Sequence, residues 1–140
     1  MIVNNVGILN PPKFKIMKTV ISTPDAPKAI GPYSQAIVVN GVLYASGQIA
    51  IDPNTGTFSG NIESQTRQVM QNIGAILKAA NMSFSNVVKT TVFITNMSDF
   101  ATVNSIYAEY FVTDAPARSC VAVDSLPKGA LIEIEIIAAS

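Results

Sequence analysis

Apolar side chains recur along residues 18–140 with two periods, and the switches between them mark the elements. "KTVIST" (18–23) reads as a short strand, and "DAPKAIGPYSQ" (25–35), with two prolines and a glycine, as an ordered loop. "AIVVN" and "VLYASGQI" flank Asn40–Gly41, the strongest two-residue hairpin signal. "DPNTG" (52–56) is a further turn. Residues 62–80 follow the helical period through Ile62, Thr66, Val69, Ile73, Ile76, Leu77 and Ala80, with Asn61 as N-cap and Asn81 as a left-handed stop. "VVKTTVFIT" (87–95) is β-branched and predicts a central strand. A second helix is expected over 99–111, capped by Ser98, with an apolar face of Phe100, Val103, Ile106, Tyr107, Tyr110 and Phe111. Strands at 119–123 and 131–138, around the turn "DSLPKGA", close the chain.

This order predicts an α+β fold, a mixed sheet of about six strands with two helices packed on one face. Two helices cannot also cover the other face. Its Ile and Val residues then need a second copy of the chain to bury against, which predicts a homo-oligomer.

Composition narrows the chemistry. With 140 residues there is enough chain for one domain with a real core. Nine basic side chains balance nine acidic ones, so nothing marks a nucleic acid or an anionic membrane as partner. No apolar run approaches the ~20 residues that span a bilayer. There are no histidines, which removes Ser-His-Asp and Cys-His catalysis and the commonest transition-metal ligand. The single Cys120 excludes an internal disulfide and cannot build a thiolate zinc site. Chemistry is left to carboxylates, Arg, Lys, hydroxyls, backbone groups and water. Residues 1–17 differ from the rest. They lack the basic start of a secretory signal, and Pro11–Pro12 interrupts any helix. They are read as a disordered extension before the 18–140 domain, or as preceding a true start at Met17. A mitochondrial transit segment is the alternative, favoured by Lys13 and Lys15 and opposed by the lack of Arg.

In a chain only 13% charged, the charges set into the last two strands stand out. Arg118 and Cys120 share one side of their strand, and Glu133 and Glu135 one side of theirs. If these two strands pair, the register decides whether all four share a face, and the sequence does not choose. The plain readings are a solvated edge strand for the two glutamates, a surface ion pair for Arg118 and a small buried hydrophobe for Cys120. Asn104 lies at the edge of the second helix's apolar face, either capping a backbone group or facing a polar pocket. Tyr33 and Ser46 are unremarkable hydroxyls taken singly.

Taken together, "IGPYSQA" (30–36), "ASGQI" (45–49), "VVKTTVFI" (87–94), "DFATVN" (99–104), "PARSCVAV" (116–123) and "LPKGALIEIEIIA" (126–138) strongly resemble the RidA/YjgF family of enamine/imine deaminases, from about Lys18 to Ala138. The resemblance implies a chorismate-mutase-like α+β fold and a homotrimer with a pocket at each subunit interface. It implies hydrolysis of 2-aminoacrylate and 2-aminocrotonate, through 2-iminopropanoate and 2-iminobutanoate, to 2-keto acids and ammonia. It implies no cofactor and no metal, and a cytoplasmic enzyme, or a mitochondrial one if residues 1–17 act as a transit segment. The family's functional positions fall on Tyr33, Ser46, Asn104, Arg118, Cys120 and Glu133. On this reading Arg118 holds the substrate carboxylate and Glu133 is the general base, while Tyr33, Ser46, Asn104 and Cys120 complete the binding pocket. The competing readings are a trimer that binds keto acids, or acts as holdase or regulator, without turnover, and a ribonuclease or translation inhibitor.

Overall fold

The computed structural model describes residues 16–58 and 60–140; the extension expected at 1–17 lies almost wholly outside them. Its strands are β1 (Thr19–Ile21), β2 (Ala36–Val39), β3 (Val42–Gln48), β4 (Val87–Ile94), β5 (Ala117–Ala122) and β6 (Ile132–Ala139), and its helices α1 (Ile62–Ala79) and α2 (Phe100–Tyr110). They form one mixed sheet in the order β1-β2-β3-β6-β4-β5, antiparallel throughout except for β4 and β5. Both helices pack on one face, as the hydrophobic pattern predicts. Among the described residues no helix is long and apolar enough to cross a membrane.

Local signals behave as expected at most joints. Asn40 and Gly41 both take positive φ (50° and 76°), which matches the right-handed twist of the β2–β3 hairpin. Asn61 caps α1: its Oδ1 accepts from Ser64 N at 2.9 Å, while Ser64 Oγ accepts from Asn61 N at 3.1 Å. Asn81 turns the chain at φ 56°. The cap of α2 differs from the one expected. Asn96 Oδ1 accepts from the backbone and hydroxyl of Ser98 (3.0 and 2.8 Å), which winds Met97–Asp99 into a 3-10 turn. Asp99, rather than Ser98, then occupies the N-cap, without a side-chain cap bond. An Asn two residues upstream captured the serine first.

The larger difference concerns the last two strands, which do not pair. The crossover through α2 returns the chain parallel to β4, so β5 takes the outer edge of β4. Strand β6 inserts on the other side of β4, between it and β3. Its even positions, Ile132, Ile134, Ile136 and Ala138, are buried against the helices with Val92, Ile94, Ile73 and Leu77. Its odd positions, Glu133, Glu135 and Ile137, face the other way.

Among the described residues no helix packs on that other face. The pairing register places Val20, Ile37, Tyr44 and Ile137 in one row across it, and Val121, Phe93 and Glu133 in another. Val20, Tyr44 and Val121 are each more than two-fifths exposed.

Replacing Ile134, fully buried at the centre of the sheet, by Ala is expected to cost about 2–5 kcal/mol, because the strands on both sides prevent the cavity from collapsing. Chemical denaturation of the variant measures this, with an unchanged m-value as the sign that the fold is otherwise intact.

Candidate functional site

The 25–35 loop, the end of β3 and the start of β6 enclose a cavity of about 650 Å³. Polar side chains fasten its walls. Buried Gln35 accepts from Thr23 N at 2.7 Å and donates to the carbonyls of Thr23, Ala26 and Pro27 at 3.0, 3.3 and 2.8 Å. That amide folds the loop back on itself and sets Tyr33 at the cavity mouth. Ser46 Oγ donates to Ser34 O at 2.6 Å and its backbone N–H to Gln35 O, so β3 holds the loop at two points. From the helix side, buried Asn72 donates to the carbonyls of Ile49 and Ile51, both of which line the cavity. Gln65 Oε1 accepts from Leu131 N at 2.9 Å and so fixes the entry to β6.

Two residues into that strand stands Glu133, half-buried in the cavity wall, with exposed Glu135 one pleat further along the same face. Successive same-face residues lie roughly 6.5–7 Å apart. The Glu133 side chain runs so close past Gly47 that a β-carbon there would force its carboxylate to shift. Burial, and then the negative charge of Glu135, push the Glu133 carboxyl above the usual carboxylate range. Lys28 and Lys128 also border the space, the latter with φ 57° in the turn before β6.

Arg118 lies elsewhere. By register it faces the helix side with Thr90 and Ile136, opposite to Glu133. Its Nη1 donates to Asn104 Oδ1 at 2.6 Å, and its guanidinium lies over the rings of Tyr107 (4.8 Å) and Phe100 (5.4 Å). Tyr107 shares a buried 2.8 Å hydrogen bond with Thr90 Oγ1. Burial pushes its phenol up, against lowering by that bond and by the Arg118 charge. Cys120, one pleat beyond Arg118, is half-buried; burial raises its thiol pKa, with the Arg118 charge opposing, so it stays a thiol at neutral pH.

The six residues singled out from the sequence therefore fall into two groups. Tyr33, Ser46 and Glu133 share the cavity. Asn104, Arg118 and Cys120 gather behind the β5 edge, and within one protomer the sheet divides the groups. Sequence reasoning missed Gly47, although it stands in the quoted "ASGQI", because its part is to be absent as a side chain. It also missed Gln35, Gln65 and Asn72, whose amides interrupt otherwise apolar surfaces. Phe100, Asn104 and Tyr107 did carry a signal, since positions i, i+4 and i+7 lie on one helical face. Among the described residues no cluster of three or more His, Cys, Asp or Glu is arranged to hold a metal ion.

A six-stranded sheet backed by two helices, with its other face open beside a hollow that holds a recessed carboxylate, defines a class of small α+β pocket proteins. Residues 23–140 match the model of the endoribonuclease L-PSP family, and the chain belongs to that family, the RidA/YjgF proteins. It is 51% identical over 124 residues to human 2-iminobutanoate/2-iminopropanoate deaminase, covering 88% of this chain and 90% of the relative. Among solved structures it is similar to a conserved Rid-family protein from Yersinia pestis of unknown function, with TM-score 0.87 and 58% identity, covering 89% of this chain and all of the other. The structure of E. coli TdcF with bound serine superposes with TM-score 0.85 at 42% identity, covering 87% of this chain and 98% of the other.

Because Glu135 contributes to the raised pKa of Glu133, Glu135→Gln is expected to lower it, with burial still holding it above the usual range. Side-chain carboxyl NMR across a pH titration measures this. Unchanged titration of Glu133 would mean that burial alone sets its protonation. The same shift has a stability consequence. A carboxyl with its folded pKa raised contributes stability that is complete below the unfolded pKa and lost as pH rises through the folded one.

Proposed function

We propose that this protein hydrolyses 2-imino acids, in particular 2-iminopropanoate and 2-iminobutanoate formed from 2-aminoacrylate and 2-aminocrotonate, to 2-keto acids and ammonia. The observation that carries the reading is Glu133, a half-buried carboxylate of raised pKa set in the wall of a hollow large enough for a small acid. The named activity of the human relative supports it. Fold and family alone would support only a small-molecule pocket.

The site is proposed to be completed between copies of the chain. Arg118 and Glu133 face opposite sides of one sheet, so a substrate held by one and attacked from the other needs a second protomer. The open apolar face supplies a surface for that contact, and the family resemblance supports a homotrimer as the assembly. In this arrangement Arg118 of one copy holds the substrate carboxylate through two parallel N–H donors and so fixes C2. Glu133 of the other copy accepts a proton from water as its oxygen attacks C2, giving a carbinolamine. That proton passes to the nitrogen and completes the carbinolamine, and the carboxylate then carries the hydroxyl proton to the same nitrogen, so that the carbonyl forms, ammonia leaves and the carboxylate is restored. Backbone groups around Arg118–Cys120 border the nitrogen, with the Cys120 thiol as neutral wall. Tyr33 closes the mouth, and Ser46 holds it there through the 2.6 Å bond to Ser34 O. Asn104 supports the carboxylate end. Since the imine already reacts with water, positioning supplies much of the acceleration. A nuclease reading, which the family's name invites, finds little support in a chain with zero net charge and no histidine.

The direct test couples threonine dehydratase to the protein and follows ammonia and 2-ketobutyrate release. Glu133→Gln is expected to lower turnover by ~100-fold or more with keto-acid binding retained, and Glu135→Gln far less. In wild type the rate should fall on acidification at a pH above the ordinary glutamate value of about 4.3, because the base must be ionised. If Glu133→Gln turned over normally, general-base catalysis from this strand would be wrong. For assembly, light scattering at micromolar concentration is expected to give the mass of three chains of 14.8 kDa each. A monomeric mass would overturn the shared site.

A further inference from the structure

The two arginines of the chain are held in opposite ways. Arg67 is an exposed residue paired with Glu109 at 2.8 Å and flanked by Glu63 at 3.7 Å. Arg118 makes no ion pair among the described residues. Its partners are two aromatic rings, at 4.8 and 5.4 Å from the guanidinium carbon, and one amide oxygen at 2.6 Å. All three come from α2, where Phe100, Asn104 and Tyr107 rise along the side turned to β5. Tyr107 is itself fixed from behind by Thr90 on β4, and its ring packs on Phe111 with centroids 4.6 Å apart.

A carboxylate would orient a guanidinium equally well, but it would also cancel the charge that a later anion needs. Ring quadrupoles and an amide dipole attract a cation while adding no net charge. We infer that Phe100, Asn104 and Tyr107 form a neutral cage that positions Arg118 and keeps its whole charge available for the carboxylate of a 2-imino acid. The inference rests on the anchoring role proposed for Arg118 and adds how that role is made possible. The three cage members are positioning residues, acting through Arg118. Asn104, in particular, has its oxygen committed to the guanidinium rather than to a ligand.

The discriminating variant is Asn104→Asp, nearly identical in shape but placing a negative charge beside Arg118. Calorimetric titration of the full-length protein with 2-ketobutyrate, alongside steady-state ammonia release, supplies the readout, and thermal unfolding and mass check that each variant folds and assembles. Asn104→Asp is expected to weaken 2-ketobutyrate binding by about tenfold or more, and more than Asn104→Ala does, because the new charge competes with the ligand. The loss should fall mainly on KM, since the carboxylate contact exists in ground and transition states alike. Tyr107→Phe keeps the ring and should bind nearly as wild type, whereas Tyr107→Leu should bind more weakly. In an Arg118→Ala background neither Asn104→Asp nor Tyr107→Leu should weaken binding further. Wild-type affinity in Asn104→Asp would overturn the cage, and that variant decides the matter even if Tyr107→Leu fails to fold. The two levels separate cleanly. If Arg118→Ala itself binds like wild type, the anchoring role fails. If Arg118→Ala loses binding while Asn104→Asp keeps it, only the neutral cage fails.

Discussion

Strand β6 is the member on which the structure depends. It is hydrogen-bonded on both sides, to β3 and to β4, and it joins the hairpin half of the sheet to the half built around α2. Its alternation does two jobs at once. Ile132, Ile134, Ile136 and Ala138 fill the space beneath the helices, so the register cannot slip by one residue without exposing the core. The same constraint turns Glu133 and Glu135 outward, into the cavity wall. Position of the carboxylate is therefore secured by the burial of its neighbours, and Gln65 ties down the residue that begins the run.

Around that strand the molecule uses buried amides where charges would be costly. Gln35, Gln48, Gln65 and Asn72 are nearly inaccessible, and every buried side-chain polar atom among the described residues finds a hydrogen-bond partner. These amides fasten loops that a purely apolar core would leave free to slide. Two partly buried charges stand apart from them, the recessed glutamate and the arginine behind β5. Among the described residues neither makes an ion pair. That leaves both able to serve the shared site proposed above.

The uncovered sheet face belongs to the same logic. Val20, Ile37, Tyr44, Ile137 and Val121 would pack well against another sheet and gain nothing from water. Burying them against a second copy is the assembly proposed above. On that proposal association and catalysis draw on one surface.

The sequence by itself determined the elements, the α+β class, and the uncovered face. Those follow from periodicity, from Asn40–Gly41 and Asn61, and from counting two helices against a six-stranded sheet, all of them short-range or additive facts. It also drew attention to Arg118, Glu133 and Glu135 as charges beside or within apolar strand runs, and the family resemblance singled out Arg118 and Glu133 among them. Tertiary structure decided which strands are neighbours, and so which charges share a face. The α2 crossover set β5 parallel to β4 and left β6 to fill the gap beside β3, a choice made by contacts between segments far apart in the chain. Gly47 against Glu133, and the α2 side chains around Arg118, likewise exist only once those distant segments meet. Period and propensity act over a few residues, whereas pairing order is settled by which arrangement buries the most apolar surface at once. No local pattern encodes that sum.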